Sequence, residues 1–484
     1  MPRRALLALA AGLCLLSACG GGGGGDYEPE VRPDEKRVGA EQNPQLLAEF
    51  GGAYRGPEAD YAQRIGEKVA AAAGLKGECT FTLVNSDVVN AFAVPGCYIY
   101  VTRGLMGIVN SEAELASVLA HEVGHIVAAH NRRQQRRSLW RSLGVWAVGA
   151  VTRSEKLTRI AGRAAEYFTL RYSRTQEYEA DALGVRFLAD AGYDPWAAGD
   201  MLGELGRHEQ YMGLTRGRDE ARAIPEWART HPLAGNRVER AAKAAAATGI
   251  ADGARPELET PYLRELDGLL YGDDPAQGFV DGRRFAHPVM RIGFEAPEGF
   301  TLTNSPQAIL IEGPDGLRGE FGGGPMPAGG LTAYAEGLIG ALLRGAPAQT
   351  GPAEPSRING LPALLVPVLV QTEQGAVELS IAAYDGGGGG AYHFVMVGPP
   401  AGSSRAAMGA LFGSFHQLSD TEAKSLRPRL IRTVRVGSGQ SPASFAALMA
   451  SDHPLDHFLM LNGLAAGQPL KPGELVKIVT FAPR

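Results

Sequence analysis

Cysteine is scarce in this chain: four in 484 residues, at positions 14, 19, 79 and 97. No Cys-x-x-Cys spacing occurs, which leaves no thiolate cage for a metal. Basic tracts are lacking too. Lys and Arg total 47 against 52 Asp and Glu, a formal net charge of −5, and nothing offers nucleic acid an electrostatic footprint. Long apolar runs are absent. Residues Ala5–Leu16 and 139–151 are the notable stretches, and both are too short to span a bilayer. No multi-span membrane core is visible, which argues against cleavage of substrates inside the bilayer. No 34-residue repeat is visible, which argues against a helical-repeat tail.

Against these absences stands one pentapeptide, His121-Glu122-Val123-Gly124-His125. Residues four apart share a helix face, so His121 and His125 can grip one metal ion. Glu122 lies one step round, in reach of a water that Zn2+ would acidify toward a pKa of roughly 7. Ser111 and Glu114 form a capping box that starts this helix. Leu115, Val118, Leu119, Val123 and Ile126 make it a buried one, in which two histidines and a glutamate need partners. Arg132, Arg133, Arg136 and Arg137 follow it and suit its negative end.

A catalytic zinc needs a third protein ligand and an open position. Ala128 and Asn131 stand where a metzincin pattern needs glycine and histidine, and His130 is off the face of His121 and His125. Downstream, Ser173 and Gln176 form a second capping box. Glu177 and Asp181 share a face there, while Glu179 points roughly 200° away. Glu177 reads as the third ligand, and Asp181 as an acceptor that orients a ligand histidine.

HEVGH, then SRTQEYEAD, with the segment Asn90–Val101 upstream, resembles the HtpX, BepA and CAAX-prenyl-protease family of zinc metallopeptidases over about residues 40–245. The resemblance implies zinc on His121, His125 and Glu177, one ion per chain, and Glu122 as general base. It implies a substrate edge strand at Asn90, Ala91, Phe92 and Ala93, which an extended peptide joins by main-chain pairing. Cys97 stands where the family has a second glycine. His231-Pro232 with Arg237 resembles the family's HP…R element. There His231 stabilises an oxyanion or serves as a removable fourth ligand, and Arg237 is either functional or structural.

The N-terminus reads as a signal peptide over residues 1–18, with Arg3 and Arg4 before the apolar run. Leu16-Ser17-Ala18-Cys19 resembles a bacterial lipobox, which implies lipidation of Cys19 and an anchor in the inner leaflet of the outer membrane. Removing residues 1–18 takes away two arginines and no acid, so −5 becomes −7. Residues 19–40 then form a flexible Gly-rich tether. Cys79 and Cys97 are free to pair in an oxidising periplasm.

A chain of this length needs more than one core. The expected class is α+β. A mostly helical zincin-like metallopeptidase domain with a small sheet (Thr80–Val84, Ala91–Val94, Tyr98–Val101) covers 41–250. Residues 139–151 within it are a buried helix, a lid or a membrane-facing patch. Ala251–Thr260 is a linker. An α+β domain with an antiparallel sheet follows at 278–420. It has strands around 377–383 and Tyr392–Val397 joined by a loose glycine turn at 386–390. Its helices are Leu331–Leu343 and Arg405–Phe412, and His287, His393 and His416 are structural. Residues 430–481 resemble a LysM-like βααβ module, either binding peptidoglycan or docking internally. Together these features describe a periplasmic endopeptidase for misfolded or misassembled envelope proteins. The alternatives are a chaperone-like assembly factor with a latent site and a cell-wall-binding protein.

Overall fold

The computed structural model describes residues 29–133, 172–215, 227, 231, 236–344, 346–372, 375–398 and 405–483. The signal peptide, Cys19, the glycine run and the stretch 139–151 lie outside the described residues.

The tether ends sooner than its composition suggests. Helix α1 spans Pro33–Glu49, with proline at its first position and Asp34 and Glu35 in its first turn, where acidic groups meet the positive end of the helix. Gly39 lets α1 lie against the strands, because a Cβ there would fall 2.2 Å from the Pro95 carbonyl oxygen.

Helix α2 (Pro57–Ala72) and a three-stranded sheet follow. Strands β1 (Thr80–Val84), β2 (Ala91–Val94) and β3 (Tyr98–Thr102) lie in the order β1-β3-β2. β1 and β3 run parallel, and β2 is an antiparallel edge. Cys79 and Cys97 form a disulfide that ties the start of β1 to the β2–β3 turn.

Helix α3 (Arg103–Ile108) leads into α4 (Glu112–Val127), which carries the HEVGH sequence. The Ser111 hydroxyl caps α4 by accepting from the Glu114 amide at 3.0 Å. Glu114 reaches back to the Asn110 amide, not to that of Ser111, so the expected box is displaced by one residue. Every residue of α4 except Glu112 and Ile126 is buried. Against it pack α5 (Arg174–Asp190) and α6 (Ala197–Thr215), and α7 (Arg237–Ala247) packs on those two. At the start of α5, Ser173 and Gln176 cap each other as their spacing predicts.

The end of the chain returns to this core. Ile431, Phe445, Phe458 and Ile478 belong to the same apolar cluster as Leu115, Leu119 and Phe187. Strand Arg429–Arg435 pairs antiparallel with Leu475–Phe481 and with Leu270–Tyr271, and two short helices lie between the first two. Lys477 is fully buried and donates to the carbonyls of Gly107 (2.9 Å) and Val109 (2.6 Å), beside the start of α4. Burial pushes its pKa down to about 7 and that of the facing Glu114 up to about 8.

Between these two parts of the core sits a separate α+β region. Its main sheet has eight antiparallel strands between Thr301 and Gly398. Alternation divides its side chains: Phe394, Met396 and Tyr384 join one cluster, Val395, Ile381 and Leu379 another. The glycine run is tighter than a loose turn. Gly387 pairs with Gly390 across a two-residue hairpin, whose Gly388 and Gly389 both have positive φ, as right-twisted hairpins favour. His287, His393 and His416 each bond a neighbouring carbonyl or tyrosine. Among the described residues, no helix is long and apolar enough to cross a membrane.

Candidate active site

Two helices carry three of the site's four donor residues, and two glycines let them approach. A Cβ on Gly124 of α4 would meet the Ala180 carbonyl oxygen at 2.9 Å. One on Gly184 of α5 would meet the His121 amide nitrogen at 3.1 Å. This close approach brings Glu177 against the two histidines of α4.

His121, His125, Glu177 and His231 are all buried, and their donor atoms lie within 4.8 Å of one another. His121 Nε2 is 3.0 Å from His125 Nε2 and 3.3 Å from His231 Nδ1. Glu177 lies 3.6 Å from His121 Nε2 and 3.7 Å from His125 Nε2, and 3.1 Å from His231 Nδ1. No other group of three or more His, Cys, Asp or Glu among the described residues converges this way.

The donor chemistry fits a cation. His121 Nδ1 faces Asp181 Oδ1 at 2.9 Å, which leaves Nε2 to face the cluster. Inward-facing imidazole lone pairs beside a carboxylate repel one another unless a positive ion lies between them. Two histidines and a glutamate are a familiar zinc donor set.

Glu122 lies beside the cluster without joining it. Its carboxyl is fully buried, neither oxygen completes a hydrogen bond, and Oε1 is 3.6 Å from His231 Nε2. Burial raises its pKa, while His231, His121 and a backbone contact from Ala93 pull the other way. Burial pushes His125 well down. Burial alone would raise Glu177, but His231, His121 and Arg237 outweigh it and hold the carboxyl below its usual range.

Arg237 is also buried. It donates to both oxygens of Asp181 at 2.9 and 2.7 Å and lies 3.1 Å from Glu177 Oε2. A further donor contact reaches the His231 carbonyl at 3.4 Å. Asp181 is thus held by a bidentate fork while it faces His121.

Edge strand β2 is more covered than an open edge. Ala91, Phe92, Ala93 and Val94 are all buried. Asn131 approaches the Ala93 carbonyl at 3.5 Å, and the Trp227 amide donates to the Val89 carbonyl at 3.3 Å. Asn90 is buried with neither side-chain polar atom bonded.

Four residues of the site escape a reading by helical spacing. Trp227 stacks on His231 at 4.3 Å between ring centroids, and Tyr172 on His125 at 3.8 Å. His130 and Glu179 were set aside by their angular positions, yet His130 Nδ1 lies 2.7 Å from His125 Nδ1, and His130 Nε2 lies 3.0 Å from Glu179 Oε2. The helix stops before His130. Ala129 takes a left-handed φ of 52°, which turns the chain back and swings the ring behind His125. Alanine gives little sequence signal for such a turn.

Residues 57–245, the stretch that holds this whole cluster, match the pattern of Peptidase family M48. The chain is similar to a "Beta-barrel assembly-enhancing protease" of Yersinia pestis, 31% identical over 191 residues and covering 37% of each chain. It is also similar to the "Mitochondrial metalloendopeptidase OMA1" of Arabidopsis thaliana, 36% identical over 125 residues, or 26% of this chain and 25% of that one. The chain thus spans well under half the length of these curated relatives. Among solved structures, a cyanobacterial PsbP from Synechocystis is 15% identical, covers 30% of this chain and 98% of its own, and has a TM-score of 0.22. The residues matched by the family pattern end before the eight-stranded sheet begins.

Proposed function

We propose that the chain is a periplasmic zinc endopeptidase that hydrolyses peptide bonds of misfolded or misassembled envelope proteins. Lipid on Cys19 anchors it to the inner leaflet of the outer membrane. The observation that carries the peptidase reading is the buried set His121, His125, Glu177 and His231 with the Glu122 carboxyl beside it. The β-barrel assembly named for the Yersinia relative supports the substrate class.

When bound, zinc supplies Lewis acidity toward the scissile carbonyl and toward water. Glu122 takes a proton from the attacking water as the carbon–oxygen bond forms. It returns that proton to the amine nitrogen as the carbon–nitrogen bond breaks, so water is the only co-reactant. His231 Nε2, on the Glu122 side of the cluster, stabilises charge developing on the carbonyl oxygen. Asp181 and Arg237 hold His121 and Glu177 in place. An extended peptide lies along β2, and the Asn90 amide has hydrogen-bonding capacity to offer it.

One observation favours a second reading. His231 is a fourth donor within the cluster, which suits a latent site in a chaperone-like assembly factor. A Glu122→Gln variant separates the two. It fails to restore envelope integrity to a deletion strain if hydrolysis is the function, and full rescue contradicts that. If His231 holds the site latent, His231→Ala raises hydrolysis. Mass spectrometry of the mature N-terminus tests lipid on Cys19, and an unmodified terminus beyond it contradicts the anchor. The strand–helix–helix–strand order of residues 430–481 supports a LysM-like module, and pull-down on purified cell-wall glycan tests whether it binds peptidoglycan.

A further inference from the structure

We propose that His130 and Glu179 are positioning residues for the metal. Together they form a hydrogen-bonded chain behind His125 that fixes its tautomer and ring orientation. The proposal rests on reading His125 as a zinc ligand.

The direction of every bond in the chain follows from that reading. His125 points Nε2 into the cluster, 3.0 Å from His121 Nε2. A nitrogen that binds a metal brings its lone pair, so the single proton of neutral His125 is on Nδ1. That N–H faces His130 Nδ1 at 2.7 Å and donates to it, which makes His130 Nδ1 an acceptor. The His130 proton is then on Nε2, 3.0 Å from Glu179 Oε2, where it donates to a carboxylate. Both rings in the chain are fully buried, so no water offers either nitrogen an alternative. The far end is anchored. Arg133 lies 3.2 Å from Glu179 Oε1 and donates through Nε to the Ala128 carbonyl at 2.9 Å, the capping residue of α4.

The two ligand histidines of α4 are therefore backed alike. His121 leans on Asp181, which Arg237 holds. His125 leans on His130 and Glu179, which Arg133 holds. A carboxylate at the end of such a chain raises the basicity of the ligand nitrogen and restricts its ring, and losing such a partner typically weakens metal binding about 10–100-fold. Spacing alone hides the arrangement, because His130 reaches His125 only through the reversal at Ala129.

The test is zinc affinity of the full chain, measured by competition with a chromophoric chelator. His130→Leu keeps the bulk and loses both bonds, and is expected to bind zinc about 10–100-fold more weakly. His130→Gln, whose carbonyl accepts and whose amide donates, is expected to restore most of the affinity. Glu179→Ala removes a carboxylate that is partly exposed, so it tests the chain where folding is not at stake, and it is expected to weaken binding in the same direction. Combining Glu179→Ala with His130→Leu adds little, since both break one chain. Wild-type affinity in a folded His130→Leu protein, or equal losses in His130→Leu and His130→Gln, overturns the proposal. If His125→Ala binds zinc as tightly as wild type, the ligand reading itself fails and the proposal falls with it.

Discussion

His121, His125 and Glu177 were legible because helical periodicity alone places them: two residues four apart on one buried helix, and a glutamate just inside the next capped helix. Asp181 was legible on the same grounds. Arg237 gives little signal in sequence, since a charged residue at a helix start is commonplace, and its fork on Asp181 and contact with Glu177 support a tie within the site. It is a buried cation between two carboxylates, so Arg237→Ala leaves Asp181 and Glu177 uncompensated. Breaking such a buried arrangement costs about 3–5 kcal/mol. The zinc-free variant is expected to lose stability on that scale in denaturant unfolding, and an unchanged midpoint contradicts the role. Trp227 and Tyr172 left no signal, because a stacking aromatic has no fixed spacing from the ring it covers.

Elements were legible where periodicity was strong and less so at their ends. The three strands of the small sheet and both capped helices fall close to where alternation and Ser/Gln or Ser/Glu spacing put them. The tether was misjudged because polar, proline-bearing sequence looks the same in a tether and in the first turn of α1. How α4 and α5 meet was invisible, although it sets the site. Gly184 is the clearest probe. A β-branched side chain there meets the His121 backbone, forces the helices apart and draws Glu177 away from the histidines. Gly184→Ile is expected to weaken zinc binding sharply, and wild-type affinity would show that the close approach does not matter. The Cys79–Cys97 pair staples the strand beside the site across 18 residues. A loop of that length corresponds to about 3 kcal/mol. Cys79→Ser should lower stability by that order, measured as the shift in unfolding free energy.

At the scale of the whole molecule, strands Arg429–Arg435 and Leu475–Phe481 belong to the core built by α2, α4 and α5. The local pattern of residues 430–481 left glycan binding and internal docking both open, since core sharing between distant segments leaves no mark on it. His457 reports on this junction. It is buried, and its Nε2 bonds the Tyr271 hydroxyl at 2.7 Å. Burial, with Arg429 and His208 nearby, pushes its pKa down to about 3. The folded pKa is depressed, so the unfolded chain takes up the proton first. The stability tied to neutral His457 is complete above about pH 6.5 and is lost between there and about pH 3, at no more than about 1.4 kcal/mol per pH unit. His457→Gln should flatten stability against pH in that window relative to wild type, and parallel curves contradict the assignment. The central claim is that one buried site hydrolyses peptide bonds through zinc and Glu122. Zinc content and cleavage of an unfolded protein, measured side by side for wild type and Glu122→Gln, test it most directly. One zinc per chain in both proteins, with cleavage by wild type alone, is the predicted result. Undiminished cleavage by Glu122→Gln, or a wild-type chain that binds no zinc, would contradict it.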